Sequence, residues 1–281
     1  MFDILDKQKV LLRYVLNETL WGSCDHHGSQ RVNNCKAVTN KFLPLLGVDP
    51  KQFSNIHNFN FSADHEDGIA KSKYVCAPDG VGGIGMLSDH GEKKHGWNPS
   101  DYEGSHNVNR GKSFYEYRNF LLNNIDVSTA PLSVPKKKFR ILFSIHSSIT
   151  SPRNTDFSTH IELVKKKLGA KYDLEILSVV LSEFSVKEQA EMIVDTSIYI
   201  TVCGGGAFSA LFLPKGASLM VYFNEDDGEK RTPARLDWDY FNHMGYVRTH
   251  WLPRPKSSKK EIDLEAFTSL VDHELHIISQ L

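Results

Sequence analysis

No run of this sequence approaches the ~18 uncharged apolar residues that a membrane-crossing helix requires. The first residues, MFDILDKQKVLLRYVL, carry acids where a secretory signal carries a basic region, and Asp6, Lys7, Lys9 and Arg13 interrupt their apolar positions. Cysteine is scarce as well. Cys24, Cys35, Cys76 and Cys203 form no CxxC pair and are too few to staple a chain of 281 residues, so reduced thiols are expected. Together these absences lead to the expectation of a cytoplasmic protein without membrane insertion. An excess of charge is missing too: 33 Lys plus Arg face 34 Asp plus Glu. That balance removes the broad basic footprint of a non-specific nucleic-acid binder and leaves any anionic ligand to a local site. What remains is an ordinary globular composition, 40% hydrophobic and 24% charged, with length enough for two modest domains.

The stretch SVPKKK at Ser133–Lys138 separates a helical-looking segment, SFYEYRNFLLNNI, from an apolar run, FRILFSI, and reads as a linker. It sets the expected boundary between an upstream domain, residues 1–134, and a downstream one, residues 138–281. Downstream, strand-like runs (FRILFSI, LEILSVV, IYITV, SLMVYF) alternate with helical stretches near Thr159–Leu168 and Val186–Val194 and with a short helix after the glycines. Alternation at this spacing predicts right-handed βαβ units and a parallel sheet. Upstream, residues 20–72 hold many Asn, His, Ser and Asp with little periodicity; one strand is expected there, KYVCAP at Lys73–Pro78, followed by the glycine-rich DGVGGIG. An apolar stripe, Ile262, Leu264, Phe267, Leu270, Val271, Leu275 and Ile278, predicts a helix over 261–281 that can pack on either half.

The most informative segment is Ile198–Phe223, IYITVCGGGAFSALFLPKGASLMVYF. A buried strand ending at Val202, followed by three glycines and a helix start near Ala207, lets backbone amides face an anion. Gly204, Gly205 and Gly206 are then phosphate contacts. Equally, glycines at a strand end can serve only a tight turn.

Two stretches, ILFSIHSSITSPRNT with HIELV and EFSVKEQAEMIVDTSIYITVCGGGAFSALFLPKGASLMVYF, carry a resemblance by order and spacing. Over residues 138–252 the chain resembles the inverting glycosyltransferase family that includes plant β-1,2-xylosyltransferases, the EGF-domain O-GlcNAc transferase and the O-mannose GlcNAc transferase. The marks are an Arg-Asn pair after a strand, a Glu-Leu-Val helix, and a Phe, Gln, Asp-Thr, glycine-run, Phe-Leu-Pro, Gly-Ala succession. Two positions depart from it: Cys203 stands where the family has His before its glycines, and Ile145 and His146 stand where it commonly has Arg.

The resemblance implies a glycosyltransferase B-like α/β fold, two facing Rossmann-like domains with a cleft between them. It implies transfer of a sugar, xylose before N-acetylglucosamine, from a UDP-sugar to a glycan hydroxyl with inversion, and no metal or other cofactor in the active site. Donor contacts then fall to Arg153, Asn154, Phe184, Gly204, Gly205, Gly206, Ala207, Phe208 and Ser209. The fixed planar charge of Arg153 suits a diphosphate, and the ring of Phe184 can lie beside uracil. Each has an ordinary alternative, a solvated loop arginine and a core phenylalanine. A general base must come from the acceptor side. The segment KYVCAPDGVGGIGMLSDHGEKKHGW offers Asp89 and Asp79 first, then His90, each also explicable as a turn or cap residue. With no anchor in view, a bacterial or viral member is expected, in the host cytoplasm if viral.

Other signals weigh less. Asp237-Trp238-Asp239 has the spelling of a metal-binding DxD but sits where acids favour the first turn of a helix. Cys24, His26, His27 and Cys35 match no common zinc spacing. A nucleotide-dependent dehydrogenase is the rival enzyme, although CGGGAF lacks GxGxxG spacing and follows the third strand rather than the first. A non-catalytic nucleotide- or sugar-binding module is the non-enzymatic alternative.

Overall fold

The computed structural model describes residues 11–13, 41–47, 53–55, 110–129, 138–145, 155–225, 240–241, 244–255 and 263–281. The chain divides into two compact units, Met1–Gly85 and Met86–Leu281.

In the first unit, β1 (Leu11–Arg13) pairs in parallel with β2 (Phe53–Asn55), Leu11 opposite Phe53. A parallel pair needs a crossover, and a 3-10 turn at Leu43–Leu46 lies within the connecting residues. Neither strand shows in the sequence: three residues are too few to carry an alternation. The expected strand at Lys73–Pro78 lies outside the described residues.

Among its described residues the second unit is built on five parallel strands: β3 (Phe139–Ser144), β4 (Leu174–Val179), β5 (Ile198–Val202), β6 (Ser218–Glu225) and β7 (Arg248–Pro255). Their spatial order is β4-β3-β5-β6-β7. The first four coincide with the apolar runs read from sequence, so the α/β parallel-sheet expectation holds in this unit. The fifth was not expected. RTHWLPRP carries two prolines and places Arg248 and His250 at alternate positions, which hides a strand; an edge strand tolerates both.

Among the described residues four α-helices accompany the sheet: α1 (Arg110–Asn124), α2 (Ser158–Leu168), α3 (Val186–Ile193) and α4 (Leu264–Ser279). Their starts are chemically marked. Ser185 and Glu188 form a reciprocal capping box on α3 (2.8 and 3.3 Å), and Asp263 accepts from the Ala266 amide (2.9 Å) at α4. One face of the sheet is covered by α2 and α4. There Phe139, Ile141, Phe143, Ile198, Ile200, Val202, Met220 and Tyr222 meet Val164 and Leu168 of α2 and Phe267, Val271, Leu275 and Ile278 of α4. The C-terminal helix therefore packs on the sheet of its own unit. The helix before Ser133–Lys138 and the strand after it also belong to one unit.

The opposite face differs. The short helix expected after the glycines is present, wound as a 3-10 run over Gly205–Phe212. Length explains this. Ser218 of β6 pairs beside Ile198, so the connection must travel back along β5; at ~2.0 Å per residue the 3-10 run covers about 16 Å, where an α-helix of the same residues would cover about 12 Å.

Candidate functional site

Open parallel sheets bind ligands in the crevice outside the carboxyl ends of their strands, where the strand order reverses. In this sheet the chain runs from β3 outward to β4 and then returns across β3 to β5. The reversal point thus lies between the carboxyl ends of β3 and β5, and the glycine turn leaves β5 there.

At the end of β5 the Cys203 amide donates to the Tyr222 carbonyl (2.8 Å) and prolongs the ladder with β6 by one residue. Cys203 is a half-buried thiol. Gly204 then turns the chain with φ 137° and ψ −168°, a conformation that a side chain would strain, so a glycine is required at this position whatever the turn binds. The first bond of the 3-10 run joins the Ala207 amide to the Gly204 carbonyl (2.9 Å). The amides of Gly205 and Gly206 precede it, so the run itself supplies them no acceptor. Gly205 is exposed and Gly206 half-buried.

The remaining expected donor residues divide into groups. Ala207 is fully buried, and its amide is taken by Gly204. Phe208 packs its ring on Tyr240 (4.7 Å between centroids) and Phe241 (5.8 Å), so it holds the run in place. Ser209 is half-buried. Phe184 follows β4 and a 3-10 turn at Leu181–Glu183, also on the carboxyl side of the sheet. Its amide donates to the Leu181 carbonyl (3.2 Å) and its carbonyl accepts from Gln189 Nε2 (3.0 Å), which leaves a half-buried ring as its contribution to a ligand. Arg153 and Asn154 lie outside the described residues, but the ends of their loop do not: the Thr155 amide donates to the Ile145 carbonyl (3.2 Å), so the loop begins and ends together beside β3. Asp79, Asp89 and His90 lie outside the described residues, as do Asp237, Asp239, Cys24, His26, His27 and Cys35.

Sequence reasoning missed what lies beneath the turn. Ser144, Tyr199 and Thr201 are fully buried, and the strand register sets them on one face: Leu142 is opposite Tyr199 and Phe143 opposite Ile200, which carries Ser144 beside Thr201. The Tyr199 hydroxyl donates to the Gly206 carbonyl (2.8 Å). Burial raises its pKa to about 12, and hydrogen bonding with the Ser144 and Thr201 hydroxyls partly opposes that rise. The signal was the alternation inside IYITV, where Tyr and Thr share one face and the aliphatic residues share the other.

The rest of the run is held likewise. The Tyr246 hydroxyl donates to the Leu211 carbonyl (2.8 Å), and Nε of the fully buried Arg118 on α1 donates to the Phe212 carbonyl (3.1 Å). No family model matches the chain, and no curated protein matches its sequence.

Proposed function

We propose that the crevice outside β3, β4 and β5 receives the diphosphate of a UDP-sugar, and that the protein transfers the sugar with inversion to a glycan hydroxyl. The observation that carries this reading is the position of the glycine turn: it lies at the reversal point of the sheet, with the amides of Gly205 and Gly206 ahead of the first bond of the run. Amides so arranged suit a phosphate. Arg153 and Asn154 belong to the loop rooted at the neighbouring strand, and Phe184 to the turn after β4; in this reading they face the diphosphate and the uracil. The motif succession over residues 138–252 points to the same use.

In the reaction a carboxylate of the upstream half, Asp89 before Asp79, with His90 next, removes the acceptor hydroxyl proton. The acceptor oxygen attacks the anomeric carbon as the bond to the diphosphate breaks, and Arg153 with the glycine amides stabilises the departing charge. The two halves then face each other across a cleft as in glycosyltransferase B enzymes. UDP-xylose is the preferred donor and UDP-N-acetylglucosamine the second. A dinucleotide enzyme fits less well, because the turn after β3, the first strand of the sheet, contains no glycine.

The test pairs calorimetric UDP titration with transfer assays over a panel of UDP-sugars, with and without chelator. Arg153→Ala should weaken UDP binding. Asp89→Asn should leave UDP binding intact and lower turnover by about 10²–10⁴-fold. Absence of UDP binding by the unaltered protein rejects the reading, and loss of all transfer in chelator rejects its metal-free form.

A further inference from the structure

The buried hydroxyls beneath the glycine turn have more to do than fill space. Ser144 and Tyr199 project from strands on either side of the reversal point, Thr201 stands next to Ser144, and all three are fully buried. Among them the Tyr199 hydroxyl is aimed at one backbone atom, the Gly206 carbonyl, at 2.8 Å. In a 3-10 run the carbonyls point toward its carboxyl end and the amides toward its start. The Gly206 carbonyl shares its peptide plane with the Ala207 amide, whose bond to the Gly204 carbonyl (2.9 Å) closes the turn, so fixing that plane holds the turn in which the Gly205 and Gly206 amides stand. Three consecutive glycines have no side chains to restrict them, so their backbones turn more freely than those of other residue types. Without an outside anchor their amides would sample many directions and lose the preorganisation an anion site depends on.

We infer that Tyr199, set by Ser144 and Thr201, is the positioning residue of the donor-diphosphate site: its hydroxyl fixes the Gly206 carbonyl and so aims the glycine amides at the phosphates. This rests on the donor-site reading given above. Tyr199 does not touch the ligand and acts only through the turn.

Tyr199→Phe keeps the ring and removes the anchor. On the full chain, titration with UDP and with uridine separates positioning from folding, because a merely structural loss lowers the melting temperature without changing the affinity difference between the two. The expected result is about tenfold weaker UDP binding, uridine binding unchanged, and faster amide hydrogen exchange in the peptide spanning 203–208 of the ligand-free protein. Should Tyr199→Phe fold poorly, Ser144→Ala and Thr201→Val carry the test, with a few-fold loss of UDP affinity expected. If the unaltered protein binds UDP and the variants bind it equally well, the donor site stands and the positioning role is overturned. If the unaltered protein binds no UDP, the donor-site reading falls and this inference with it.

Discussion

The two faces of the five-stranded sheet are covered by different means. On one, α2 and α4 satisfy their own backbones and present a largely apolar layer, and the polar contacts that cross it, His160 with Tyr222 and Glu274 with Arg248 and His250, run between side chains. On the other, the 3-10 run is too short and too tightly wound to be self-sufficient. Three of its carbonyls, those of Gly206, Leu211 and Phe212, are met by Tyr199, Tyr246 and Arg118. Regular helices keep their own backbones bonded and meet the sheet through side chains. An irregular crossover must be held by placed polar groups, and those groups can in turn aim a binding turn.

If that contrast is sound, truncation on the helical face should be the most damaging change. Phe267 is 2% exposed, edge-on to His160 at 4.8 Å and near Tyr222. Phe267→Ala should cost about 3–5 kcal/mol by denaturant unfolding; a cost under about 1 kcal/mol would show that this face collapses around the loss.

The same face should be acid-sensitive, because its buried polar groups include a histidine and a glutamate. His160 is 3% exposed, and its Nε2 lies 3.0 Å from the Tyr222 hydroxyl among Phe157 and Phe267. Burial lowers its pKa from 6.5 to about 4, against a small opposing pull from Asp156. Between those values the unfolded chain holds a proton that the folded chain does not. Stability should therefore fall as pH drops from 6.5 to 4, by roughly 3 kcal/mol in all, and this contribution should change no further below pH 4. A second loss should follow from Glu274. Burial alone would raise its carboxyl, but Arg248 (2.7 Å) and His250 (3.0 Å) hold it at about 2, so what they contribute disappears between pH 4.5 and 2. Urea unfolding at pH 7, 5.5 and 4 measures the first step, and His160→Phe should flatten it; an equally steep decline in that variant would assign the sensitivity elsewhere.

The smallest effect is expected on the other face, from a single hydroxyl. Tyr246→Phe keeps the ring against Tyr115 but strands the buried Leu211 carbonyl, at a cost of about 1–3 kcal/mol. A neutral substitution would mean that the run does not need its side-chain partners, and the contrast between the faces would fail.

Legibility followed the same division. The core strands and the helices α2, α3 and α4 could be read because burial writes itself into sequence as apolar runs and stripes, as in FRILFS and the Phe267–Ile278 spacing. After the glycines the helix could be read but not its 3-10 winding: GGAFSALF is as apolar as a buried helix, and the distance it must cover along β5 selects the tighter winding. Of the candidate site, the glycines were legible because the Gly204 backbone admits nothing else. Tyr199 was not, since its partner is a backbone carbonyl brought near by the fold and carries no mark of its own. Nor was β7, whose inward positions hold Arg248 and His250 because Glu274 of α4 meets the guanidinium of the one and the ring of the other.

The prolines of that last strand also change what the border of the sheet offers to a second chain. An edge strand is a template on which another chain can lay itself, and Pro253 and Pro255 remove two of the donors such a template would offer. At the opposite border β4 carries no proline, and most of its length is half-buried. Crowded or partly unfolded molecules should therefore stick to one another by one flank of the sheet in preference to the other, and a charge or proline introduced along Leu174–Val179 is the place to begin when recovering protein that precipitates.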